Sequence, residues 1–150
     1  YILIDCPAGI EQGFKNAIAA ADEAIVVTTP EVSATRDADR IIGLLEAAGI
    51  KSPRIVVNRL RIDMVKDKNM LSVEDILDIL AVKLLGVVPD DETVVISTNK
   101  GEPLVYKGDS LAAKAFKNIA SRIEGVEVPL LDLDVKMSIL EKIKFVFKRW

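Results

Sequence analysis

Asp5 closes the apolar run Tyr1-Ile2-Leu3-Ile4 and is followed by Cys6-Pro7-Ala8-Gly9. A carboxylate at the end of a buried strand is held firmly enough to orient Mg²⁺, or its waters, beside nucleotide phosphates. A glycine just beyond it lets the loop move when a γ-phosphate is present or lost. The same string also describes a carboxylate that caps the next turn, and the string alone does not choose. Asn58 ends the run Ile55-Val56-Val57. Its amide has both a donor and an acceptor, as a purine edge requires. Guanine readers continue Asn-Lys-x-Asp, whereas here the run is Asn58-Arg59-Leu60-Arg61. An arginine in place of that aspartate disfavours guanine and permits adenine. The alternative is a loop asparagine that tolerates an unusual backbone angle.

These residues need elements to position them. Residues 1–5 read as a strand buried on both faces, as in parallel sheets. A helix is expected from about Gln12 to Ala21, then a strand over 24–28. The next helix has Ser33 or Thr35 as its N-cap and Gly49 after its end. Its apolar positions Ala38, Ile41, Ile42, Leu45 and Ala48 share one face. A third strand covers 54–58, and a loop, Lys-rich over 64–69, reaches Leu71. Ser72, with Asp75 three residues on, caps a further helix. A fourth strand, 83–88, is stopped by Pro89, and a less regular stretch reaches Pro103. A helix over about 110–124 closes the body. Strands alternating with helices predict an α/β fold with a mainly parallel sheet and helices on both faces. Ligands in such sheets sit beyond the carboxyl ends of the strands. There lie Asp5 to Gly9, Thr28 to Glu31, Asn58-Arg59 and Pro89-Asp90-Asp91, four strand ends on one rim.

Composition narrows the chemistry. The chain has 150 residues, half of them hydrophobic and 29% charged, which excludes disorder as its main description. Aromatics are 5%, so the core is built from Ile, Leu, Val and Ala. The sequence has no histidine and one cysteine, Cys6. A His/Cys zinc site and Ser-His or Cys-His catalysis are therefore excluded within these residues. Cys6 reads as a small packed residue, and a single cysteine fits a reducing compartment. No apolar run reaches the ~18–20 residues of a transmembrane helix.

The net charge of −3 hides an asymmetry: residues 136–150 carry +4 and the rest −7. An acidic body repels nucleic acid. In the tail, Ile139, Leu140, Ile143, Val146, Phe147 and Trp150 fall on one helical stripe. Lys142, Lys144, Lys148 and Arg149 lie off it, and Phe145 falls on the polar side. A basic amphipathic helix of this kind lies in a membrane interface. A terminal helix docked on its own body is the alternative, and the membrane reading is favoured. Six apolar side chains give at most ~10–15 kcal/mol on full burial. Ordering the segment costs ~1–2 kcal/mol per residue. The net attachment is therefore marginal for one copy and strong for two on a dimer. The expected organisation is a body over 1–127, a tether over 128–136 and the amphipathic helix over 137–150.

Several uncommon strings occur together in order: Asp5-Cys6-Pro7-Ala8-Gly9-Ile10-Glu11, Ala21-Asp22-Glu23-Ala24 and Thr29-Pro30-Glu31-Val32-Ser33. Arg36 to Arg40, Val57-Asn58-Arg59 and Ser97-Thr98-Asn99-Lys100-Gly101-Glu102-Pro103 come after them. Together they resemble the MinD family of membrane-associated ATPases, which position the bacterial division site within the P-loop ParA/MinD class. The resemblance implies ATP or ADP with Mg²⁺ as ligands and a dimer formed on ATP. It implies an Mg²⁺- and γ-phosphate-linked carboxylate at Asp5 and a nucleotide-sensing loop that includes Pro7 and Gly9. Asn58 would read adenine, with Arg59, Pro89, Asp90 and Asp91 beside the base. Glu31 would reach the partner subunit's nucleotide. Ser33, Asp37 and Asp39 would belong to the surface met by MinC and MinE. The place implied is cytoplasmic, peripheral on the inner face of an anionic membrane.

The family's P-loop, Lys-Gly-Gly-x-Gly-Lys-Thr, precedes these motifs and does not occur in these residues. The expectation is a C-terminal portion that does not hydrolyse ATP by itself. Related ATPases for flagellar number or DNA partitioning share the fold. The acidic body disfavours the DNA-binding relative. A module that binds membrane or partner without any nucleotide role is the remaining alternative.

Overall fold

The computed structural model describes residues 1–6 and 9–133. Three parallel strands form its sheet in the order β1-β2-β3: β1 (Ile25–Thr28), β2 (Arg54–Leu60) and β3 (Lys83–Pro89). Around them run α1 (Gln12–Ala19), α2 (Val32–Ala47), α3 (Ile62–Lys66) and α4 (Val73–Leu80). After β3 come α5 (Glu92–Asn99), α6 (Leu104–Lys107) and α7 (Leu111–Ile123). The expected α/β class with a parallel sheet is therefore present.

Helices cover both faces because successive strand side chains point to opposite sides. Ile55 and Val57 pack with Phe14, Ala38, Ile42, Leu45 and Ile76, from α1, α2 and α4. Val56, between them, packs with Leu85, Val88, Ala112, Ala115 and Ile119, the last three from α7. The two clusters contain one Phe and otherwise Ile, Leu, Val and Ala, as the low aromatic content requires.

Several expectations are corrected. Residues 1–6 form no strand and are exposed, with Tyr1, Ile2 and Leu3 each more than four-fifths accessible. A parallel strand gains stability only from ladder partners, and no described strand pairs with this run. Cys6 is exposed, not packed. α2 starts two residues earlier than a Ser33 cap and four earlier than a Thr35 cap would give, with Glu31 as N-cap. Thr35, buried, hydrogen-bonds back to the Glu31 carbonyl at 3.0 Å and so is used inside the helix. The stretch read as a loop before Leu71 contains α3, and the stretch read as irregular before Pro103 contains α5.

The other elements follow their signals. Ser72 and Asp75 form a reciprocal capping box on α4. Gly49 takes φ +91° just past α2, where a side chain would be strained. No helix among the described residues is long and apolar enough to cross a membrane. Residues 134–150, with all the candidate membrane residues from Ile139 to Trp150, lie outside the described residues.

Candidate functional site

Parallel strands bring their carboxyl ends to one edge, and here that edge gathers three of the four predicted strand ends. β2 and β3 are in register at Leu60 and Pro89, and the Asp90 amide donates to the Leu60 carbonyl at 3.0 Å. The ladder is irregular between Val57 and Leu60, which sets Asn58 and Arg59 in a bulge. Arg59 has φ +60°, a left-handed conformation that side chains disfavour. Asn58 steadies it by accepting the Arg59 amide on Oδ1 at 3.0 Å, which also fixes the plane of the Asn58 side chain. Arg59 Nε lies 3.7 Å from Asp90 Oδ1, an exposed ion pair that bridges the two strand ends. Strain of this kind costs of order 1–3 kcal/mol and collects at ligand sites. Asn58, Arg59, Pro89 and Asp90 are thus brought together.

Asp91 is adjacent but faces the chain itself. Its Oδ1 accepts from the Thr93 amide at 2.9 Å and from Thr93 Oγ1 at 2.6 Å. Its Oδ2 accepts from the Ala112 amide at 3.4 Å. One carboxylate therefore caps α5 and ties it to the first turn of α7, where Ser110 accepts the Ala113 amide. Partial burial pushes the Asp91 carboxyl up, but hydrogen bonds from Thr93, Ser110 and Ala112 outweigh it and hold the group below its usual value. Sequence reasoning missed this role, although Asp followed two residues later by Thr is a helix-start signal.

The stability of this corner should depend on pH. The lowered carboxyl contributes stability above the ordinary carboxylate value near ~4, and that stability is lost as pH falls through the folded value. Asp91→Ala should cost ~0.5–2 kcal/mol by urea unfolding at pH 7. The milder Asp91→Asn should show a smaller deficit at pH 7 that shrinks at a lower pH where wild-type Asp91 has taken up its proton. A deficit equal at both pH values would contradict this role for the charge.

On the β1 side, Pro30 is buried and its carbonyl accepts the Leu71 amide at 3.3 Å. Glu31 is exposed, takes a hydrogen bond from Thr29 Oγ1, and starts α2. Ser33, Asp37 and Asp39 are exposed on α2 while Thr35 and Ala38 turn inward, so the predicted partner residues do share the outer side. Asp5 lies on the exposed, non-strand start of the chain, and Gly9 is exposed with φ +98°. Pro7 lies outside the described residues. Arg61, just past the rim, donates to Asp63 at 2.7 Å and holds that exposed carboxyl below its usual value. No cluster of three or more metal-ligating side chains occurs among the described residues.

Residues 1–124 match the family model described as ParA, NUBPL iron-transfer P-loop NTPase, and the chain belongs to the ParA family of P-loop NTPases. Within it, the chain is a homologue of septum site-determining MinD proteins. It is 62% identical over 133 residues to MinD of Synechocystis, covering 88% of this chain and 50% of that protein. It is 50% identical over 149 residues to MinD of Bacillus subtilis, covering 98% of this chain and 56% of that protein. The fold matches the MinC:MinD cell division complex of Aquifex aeolicus at a TM-score of 0.84 and 47% identity, covering 88% of this chain and 55% of that one. It also matches MinD of Pyrococcus horikoshii, solved with Mg-ADP, at a TM-score of 0.72 and 32% identity over 80% of this chain and 48% of that one. The chain spans about half the length of the relatives it matches.

Proposed function

We propose that this chain is part of a MinD-type ATPase, contributing the base-binding rim, the partner-facing helix and a membrane-targeting segment. The observation that carries the reading is the pairing of the β2 and β3 ends, with a strained Arg59 that fixes the Asn58 amide. A planar amide held at the carboxyl edge of a parallel sheet suits the edge of adenine. Relatives support the ligand class, since the Pyrococcus protein is a Mg-ADP complex.

The donor set fits nucleotide at one end only. Asn58, Arg59, Pro89 and Asp90 would hold the base; Asp5, exposed and outside the sheet here, would orient Mg²⁺ through water only once a neighbouring strand of the complete protein holds it. The ion, when bound, offsets phosphate charge. The phosphate-gripping lysines belong to the P-loop, outside these residues, so hydrolysis is assigned to the complete protein. Glu31 would face a second subunit in an ATP dimer.

Ser33, Asp37 and Asp39 would face partners. The MinC:MinD complex of Aquifex supports a MinC-like partner, and a MinE-like regulator is proposed for the same surface. The basic tail would attach the protein peripherally to the cytoplasmic face of an anionic membrane, and the acidic body argues against nucleic acid as a ligand. The outcome would be a division inhibitor recruited to set the septum position.

Asn58→Ala in the protein from the whole reading frame should weaken ATP binding by roughly tenfold, the worth of a good hydrogen bond. Titration with a fluorescent ATP analogue measures it. Unchanged affinity would remove Asn58 from the site.

A further inference from the structure

The Arg122 guanidinium, in the last turn of α7, makes three hydrogen bonds to backbone carbonyls. Nε donates to Val128 at 2.9 Å, Nη2 to Pro129 at 2.8 Å and Nη1 to Leu85 at 2.8 Å. Leu85 is the residue skipped by the β2–β3 ladder, which steps from Leu84 to Gly86. The arginine therefore ties the chain after α7 to the irregular point of β3. Beyond it, Leu131 packs with the α7-side cluster and Leu133 with the cluster on the opposite face. The segment between them must pass around the edge of the sheet. Val128, Leu131 and Leu133 are half-buried while Pro129, Leu130 and Asp132 are exposed, so three side chains of the segment rest against the body.

We propose that Arg122 latches residues 128–133 around the β3 edge as a strap that fixes Leu133 on the body. Arginine suits the task because its planar fork carries five donors and three are used here at once. The strap also covers an edge strand that would otherwise invite pairing with another chain. Residues 128–133 then belong to the body rather than to a tether. The strap's value for placing a membrane helix rests on the tail being such a helix, whereas the strap itself does not.

A nitroxide attached at Leu130→Cys, in a Cys6→Ser background, reports the strap without lipid. Leu130 is about half exposed, so the label does not displace core. The expected spectrum has a slow component that Arg122→Gln abolishes, while a label at Lys117→Cys on α7 stays unchanged. The pair Leu131→Ala and Leu133→Ala, with Arg122 kept, should also abolish it. If Arg122→Gln unfolds the chain, the wild-type spectrum and the paired alanine variant decide. A fast, unrestrained label in the wild type, or one insensitive to both sets of changes, overturns the latch. Loss of vesicle binding with the slow component intact would overturn the membrane role of the tail and leave the strap standing.

Discussion

Gly86→Ala should destabilise the fold by about 1–3 kcal/mol, the usual cost of forcing a methyl group into a packed site. Gly86 lies in β3 under α7, and an added Cβ would sit 2.3 Å from Ile119 Cγ1 and 2.8 Å from its Cδ1. Ile119 is itself a member of the α7-side cluster, so it cannot swing freely away. Arg122 Nη1 would be 3.4 Å away, so the latch feels the same shift. For a domain of this size each kcal/mol lowers the melting temperature by ~2–4 °C. Ile119→Ala should be costly alone, because it leaves a cavity. Combined with Gly86→Ala it should cost clearly less than the sum, since the new methyl enters that space. Strict additivity would contradict the close approach of α7 to β3.

Phe147→Glu should weaken binding to anionic vesicles by roughly a hundredfold. Losing one buried aromatic removes ~1.5–3 kcal/mol, and a new negative charge near anionic lipid adds ~1 kcal/mol against binding. On the proposed tail helix the sequence pattern would put Phe147 on the apolar stripe and Phe145 off it. Phe145→Glu should therefore have a much smaller effect. If a single tail binds only marginally, as proposed, the Phe147 variant should show no sedimentation with vesicles at physiological salt. Equal effects at the two positions would mean that the tail does not lie in the interface as a helix.

Sequence patterning made the central strands legible. β2 and β3 are short Val- and Leu-rich runs bounded by polar residues, and each is where its pattern placed it. Capping chemistry located α4 through Ser72 and Asp75, and α7 lies within the helix expected over 110–124, with Ser110 as its cap. The misses have physical causes. Tyr1 to Ile4 has strand composition, but a strand is made by its neighbours, and none among the described residues pairs with it. α5 has apolar residues all round rather than on one face, so periodicity did not reveal it; the signal was its Asp91 cap. Asn58, Arg59 and the Pro89 loop were singled out in the sequence, but the left-handed Arg59 and the bulge that fix the Asn58 amide were not readable from it. Arg122 was not singled out in the sequence, because its three acceptors are all backbone carbonyls with no sequence signature.

The most direct test is nucleotide-dependent sedimentation with phosphatidylglycerol-containing vesicles, using the protein expressed from the whole reading frame. With ATP and Mg²⁺ the protein should pellet with the vesicles; with ADP it should stay in solution, because the proposed ATP dimer would present two marginal tails and a monomer one. Pelleting that is equal with ATP, ADP or no nucleotide, or absent with all three, would contradict the account.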